Sequence, residues 1–96
     1  MNNTLIKGLR LLELLARSEM PMGVTELAQG LAMPKSNVHS LLQALVALGY
    51  ARQINDTRRY CASIRLWELG SAVLVHLDLK RAAQPFMSAL QVQTRE

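Results

Sequence analysis

Residues 24–62 read VTELAQGLAMPKSNVHSLLQALVALGYARQINDTRRYCA, and the order of signals within them decides the fold. Thr25 offers a hydroxyl cap for a short helix over 25–31 that carries Leu27, Ala28 and Leu31 on one side. Ala32 and Met33 make a turn. Pro34 then fits the first position of a new helix, where its missing N–H is no loss, and Gly49 closes the far end, so the second helix spans 34–48. Tyr50–Ile54 and Arg59–Ala62 are short runs with β-formers, separated by the polar turn Asn55-Asp56-Thr57. They predict a small hairpin.

A short helix, a tight turn and a longer helix followed at once by a hairpin is the layout in which the longer helix enters the DNA major groove. On a helical wheel, Val38, Leu41, Leu42, Leu45 and Leu48 share one arc and form its core side. Ser36, His39, Ser40 and Gln43 share the opposite arc. Those side chains can hydrogen-bond base edges or phosphates, and Gln43 has the two groups that pair with adenine. Lys35 and Asn37 lie near the helix N-terminus, where backbone N–H groups and the helix dipole favour a phosphate. Lys35, Arg52, Arg58, Arg59 and Arg65 crowd the stretch between Met33 and Leu66, opposed in the hairpin by Asp56. The candidate DNA-binding set is therefore Thr25, Lys35, Ser36, Asn37, His39, Ser40, Gln43, Arg52, Arg58 and Arg59, with Arg58 and Arg59 on the hairpin reaching a phosphate or the minor groove.

Upstream, the wheel gathers Leu5, Leu9, Leu11, Leu12, Leu15 and Ala16 into one broad stripe, opposite Lys7, Arg10, Glu13 and Arg17, which predicts a helix over 4–17. Ile6 and Leu14 fall on its charged side and call for a second protein surface. Pro21 and Gly23 break the pattern before Thr25. Downstream, residues 64–77 are apolar nearly all round, with only Arg65, Glu68 and His76 in a narrow strip, so this helix needs more than one partner surface. Asp78 precedes a last helical stretch, 79 to about 93, in which Pro85 either kinks the helix or marks its true first turn.

The composition bounds the function. Ninety-six residues, half of them hydrophobic, suffice for one small core with a helical extension. A net charge of +4 favours polyanionic partners. The lone Cys61 excludes an internal disulfide framework and a multi-cysteine zinc site. Residues 1–15 carry Lys7, Arg10 and Glu13 among the leucines, which fits neither a signal peptide nor a membrane span. The cytoplasm is the expected location.

Gly8-Leu9-Arg10-Leu11-Leu12, Val24-Thr25-Glu26-Leu27-Ala28, Pro34-Lys35-Ser36-Asn37-Val38-His39, Leu41-Leu42-Gln43-Ala44-Leu45, Leu48-Gly49-Tyr50, Asp56-Thr57 with Arg59-Tyr60, and Leu66 to Gly70 follow one another in order and spacing. In these segments, which span almost the whole chain, the sequence resembles the N-terminal part of bacterial IclR-type transcriptional regulators. Two positions depart from that pattern: a glycine is usual where Arg58 stands and an arginine where Ser40 stands. The resemblance implies a mostly α fold with a small β-hairpin, a winged helix-turn-helix over 1–63, followed by a linker and dimerisation helix over 64–78. Residues 79–96 then read as the start of an effector-binding domain that is truncated or absent, so a small-molecule effector is expected only if that domain exists. The implied partner is double-stranded DNA, read by a homodimer or higher oligomer on a palindromic operator. The dimerisation set is Ile6, Leu14, Leu66, Trp67, Leu69, Val73, Leu74 and Val75.

Other readings of single residues are weaker. Cys61 lies in the alternation of the second hairpin strand and reads as a small half-buried residue, with no general base placed to activate it. His76 and Asp78 lack the third and fourth ligands a metal site needs. Met20, Met22 and Met33 read as gap-fillers around the second helix, and Trp67 as an anchor for the dimer or a further domain. No enzyme activity, catalytic residue, metal or cofactor is expected. The alternative function is a winged-helix protein-interaction module without specific DNA binding, since a fold alone proves no function.

Overall fold

Asn2 accepts the Leu5 N–H on Oδ1 at 3.0 Å and so caps a first helix, α1, Asn3–Arg17. In the computed structural model, which describes residues 2–82, there follow β1 (Met22–Gly23), α2 (Val24–Leu31), α3 (Lys35–Leu48), β2 (Ala51–Gln53), β3 (Arg59–Ala62) and α4 (Ile64–Ala82). The chain divides into two compact units, with the boundary between Leu66 and Trp67. The fold is mostly helical with a small antiparallel sheet, as expected.

The first unit closes around Leu11 and Leu15 of α1, Leu27 and Ala28 of α2, Val38 and Leu42 of α3, and Ala51 and Tyr60 of the sheet. Leu11, Leu27 and Val38 are 0% exposed and Leu42 is 1% exposed; each such side chain contributes roughly 1.5–3 kcal/mol of transfer free energy. The α2–α3 turn is built on Ala32, which takes a left-handed φ of 54° and ends α2, while Met33 N–H bonds back to Ala28 C=O at 3.1 Å. Gly49 ends α3 with φ 88°, the conformation glycine adopts without a Cβ penalty.

Several boundaries and faces differ from the sequence reading. The cap of α2 is Gly23, not Thr25: the Gly23 N–H donates to Glu26 Oε1 at 2.9 Å, the reciprocal half of a capping box. Pro34 caps α3 with extended backbone and precedes its first helical residue. The wing is a three-stranded sheet in the order β1-β3-β2, because Met22 and Gly23 pair with Tyr60 and Arg59. No break occurs at Asp78, since α4 runs through it to Ala82; the rest of the expected last helix, with Pro85, lies outside the described residues.

The wheel of α1 also resolves differently. Of the broad apolar stripe, Leu11 and Leu15 enter the core, whereas Leu5 and Leu9 remain 59% and 53% exposed. Leu14, assigned to dimerisation, instead packs against the core beside Gly30, where a Cβ would come within 3.1 Å of Leu14 Cδ2. Ile6 is half-buried. Leu48, assigned to the core side of α3, is exposed because the helix ends there.

Ser63 joins the wing to α4. Its N–H donates to Tyr50 C=O, its hydroxyl donates to Gly49 C=O, and its Oγ accepts the Arg65 N–H at 3.2 Å. The Arg65 guanidinium lies 5.3 Å over the Tyr50 ring. Arg65 is thus a brace at the start of α4. From Trp67 on, α4 carries exposed apolar side chains on every side, among them Trp67, Leu69, Val73, Leu74, Val75 and Leu77.

Candidate nucleic-acid interface

The outer arc of α3 is as the wheel placed it: Ser36, His39, Ser40 and Gln43 are all exposed, as is Lys35 at the helix start, while Val38 and Leu42 hold the opposite side in the core. This orientation follows from the α2–α3 turn, which seats the apolar arc of α3 on α2 and α1. The N-terminal turn of α3 thereby opens beside the first turn of α2 and the tip of the wing. A concave surface forms between them, lined by Thr25 and Glu26 from α2, by Lys35, Ser36, His39 and Gln43 from α3, and by Gln53, Thr57, Arg58 and Arg59 from the wing.

Seven of the ten candidate residues line this concavity: Thr25, Lys35, Ser36, His39, Gln43, Arg58 and Arg59. Ser40 is exposed on α3 beyond its rim, Asn37 is half-buried, and Arg52 is exposed on β2 away from it. Within α3 the Gln43 and His39 side chains meet, with their Nε2 atoms 3.3 Å apart.

The wing tip is held by its own polar groups. Asp56 takes a left-handed φ of 62° at the turn, a conformation that Asp tolerates better than most residues. Thr57 Oγ1 donates to Ile54 C=O at 2.9 Å and accepts the Arg59 N–H at 3.2 Å, while Gln53 Nε2 donates to Thr57 C=O at 3.0 Å. Sequence reasoning missed Gln53 and Thr57, although the polar turn Asn55-Asp56-Thr57 was a signal for the second.

Arg59 is committed within the chain. One guanidinium nitrogen donates to Glu26 Oε1 at 2.9 Å and to Pro21 C=O at 3.1 Å, tying β3 to the entry of α2. Both side chains are about half exposed, so the pair is solvent-screened. The Gly23 N–H bond, assisted by Arg59, holds the Glu26 carboxyl below its ordinary range. Glu26 puts a negative charge into the concavity, which Arg59 offsets; Lys35 and Arg58 supply the remaining positive charge there. A long-range pair across 33 residues leaves no trace in local spacing.

The concavity offers donors and acceptors for base edges and cations for phosphates. Among the described residues no cluster of three or more His, Cys, Asp or Glu is placed to hold a metal ion, and no helix is long and apolar enough to cross a membrane.

Comparison with known proteins bears on the same elements. Residues 4–54 match the IclR helix-turn-helix domain model. The chain is 40% identical over 78 residues to the HTH-type transcriptional regulator KdgR of Dickeya chrysanthemi, covering 81% of this chain and 26% of that protein. It is 30% identical over 93 residues to the transcriptional repressor IclR of Escherichia coli, covering 97% and 34%. Among solved structures, an IclR family transcriptional regulator from Brucella abortus superposes with a TM-score of 0.77 at 33% identity, over 94% of this chain and 34% of that one. Pseudomonas aeruginosa HmgR gives 0.74 at 33% identity, over 99% and 41%. The chain spans about a quarter to two-fifths of the length of these relatives. With a family model matched across both helices of the turn and onto the wing, the chain belongs to the IclR family of transcriptional regulators and carries its helix-turn-helix DNA-binding domain.

Proposed function

We propose that the chain reads a palindromic operator as a homodimer, with α3 in the major groove and the wing against the flanking backbone. The observation that carries this reading is the single concavity that gathers Thr25, Lys35, Ser36, His39, Gln43 and Arg58 from three separate elements. Ser36 and Gln43 on α3 face base edges, with His39 against Gln43; Lys35 and Arg58 take phosphates; Thr25 on α2 takes the strand that α2 crosses. Ser40, Asn37 and Arg52 have supporting contacts at the margin. Arg59 acts through Glu26 to set the wing.

The dimer contacts we assign to Ile6, with the exposed Leu5 and Leu9 of α1, and to Leu66, Trp67, Leu69, Val73, Leu74 and Val75 of α4. Two-fold pairing of the protein corresponds to two-fold symmetry of the operator. The chain acts in the cytoplasm by occupancy of DNA and catalyses no reaction. A small-molecule effector belongs to this function only through a C-terminal effector domain.

The test is a fluorescence-anisotropy titration of the chain against palindromic duplexes enriched from a random pool, and against scrambled duplexes, at several salt concentrations. Selected duplexes are expected to bind at least about a thousandfold more tightly than scrambled ones, with affinity falling as salt rises. Equal binding of both would contradict operator reading and favour an interaction module.

A further inference from the structure

The imidazole of His39 and the amide of Gln43 lie one turn apart on the exposed arc of α3, their Nε2 atoms separated by 3.3 Å. A nitrogen–nitrogen hydrogen bond needs one donor and one acceptor. A carboxamide nitrogen has two protons and no acceptor capacity, so Gln43 donates and His39 accepts, with the imidazole proton on Nδ1. One amide proton of Gln43 is thereby used, and what remains is Oε1 with the other N–H. That edge is what adenine requires, since its major-groove face presents the N7 acceptor beside the N6 donor.

An unheld glutamine amide on a helix surface rotates over a broad two-fold range and loses that freedom on binding. We infer that His39 is a positioning residue for Gln43: it reads no base itself, but holds the Gln43 amide with its donor–acceptor edge set for an A·T pair. This rests on the placement of α3 in the major groove proposed above.

The experiment measures base preference at every operator position, by competition anisotropy with single-base-pair variants of a duplex enriched from a random pool. The proteins are the wild-type chain, Gln43→Ala, His39→Ala, the double variant and His39→Gln. Gln43→Ala is expected to lose a preference of about 5- to 150-fold for A·T at one position of each half-site. His39→Ala loses a several-fold part of the same preference at the same position. The double variant matches Gln43→Ala alone, because nothing is left to position. His39→Gln, whose own amide oxygen replaces the imidazole acceptor, regains most of the preference. Nitrogen-15 imidazole shifts of the free chain are expected to show protonated Nδ1 and bare Nε2.

Losses that add in the double variant, a His39→Ala effect at a different base position, or an Nε2-protonated imidazole would each overturn the inference while leaving DNA reading intact. A wild-type chain with no preference for selected over scrambled duplexes would overturn both.

Discussion

Helices α3 and α4 draw on the same leucine, valine and alanine vocabulary and end in opposite situations. In α3 the apolar residues gather on one arc: Val38 and Leu42 are fully buried, and the polar arc faces outward. In α4 they encircle the axis, and Trp67, Val73, Leu74 and Val75 stay 55–68% exposed. The difference teaches that arrangement, rather than apolar content, decides whether one chain satisfies a helix. An arc can be covered by neighbours in the same small core; a full circle of exposed apolar groups is the mark of an interaction surface.

The contrast breaks most easily in the core. Leu42→Ala is expected to cost about 2–5 kcal/mol, by lost transfer energy and a residual cavity, a large share of the stability of a domain of this size. Urea unfolding followed by circular dichroism measures it, and a loss below about 1 kcal/mol would mean that α3 is not seated as described. On the dimer proposed above, the comparable change in α4 acts on assembly. Trp67→Ser combined with Leu74→Ser is expected to weaken self-association at least tenfold, about 1.4 kcal/mol or more, in sedimentation equilibrium. A wild-type chain that sediments as a monomer at micromolar concentration would remove the reason for the exposed ring.

Within the polar arc, Gln43→Ala and Lys35→Ala sharpen the contrast further. The first is expected to relax base preference at one position by about 1–3 kcal/mol; the second weakens selected and scrambled duplexes alike and lowers the salt slope by about one. Uniform losses for both variants would return the arc to ordinary solvated surface.

How far these outcomes were legible in the sequence differs by element. The arc of α3, its Gly49 stop and the hairpin were legible because each depends on local periodicity or turn chemistry. The strand β1 was not, since two residues make no alternation and their pairing with β3 spans some 37 positions. The packing of Leu14 on α1 was not legible for a related reason: a wheel gives angles but not which angles a neighbour covers, and Leu14 packs at Gly30 of α2 while Leu5 and Leu9 stay open. Asp78 looked like a boundary by residue type, yet one carboxylate on an exposed face does not stop a helix. On α3 the exposed arc was legible from the wheel, although Ser40 lies beyond the rim of the concavity and Asn37 is half-buried. On the wing, charge alone put Arg58 and Arg59 in one role, and Glu26 separates them.

That separation yields the smallest expected effect. The carboxyl of Glu26 is lowered first by the Gly23 N–H and then by Arg59, so its contribution to stability is present above the unfolded carboxylate range and is lost as pH falls through the folded value. Glu26→Gln should flatten that part of an acid unfolding curve, by little, because the pair is half exposed. Its effect on DNA is the more informative. With the carboxylate gone, Arg59 loses its ion pair and keeps only neutral acceptors such as Pro21 C=O, beside a groove that has lost one negative charge, and all duplexes should bind somewhat more tightly with a salt slope steeper by about 0.9. If Arg59 already held a phosphate in the wild-type complex, the slope would not change, and the two wing arginines would share one role after all.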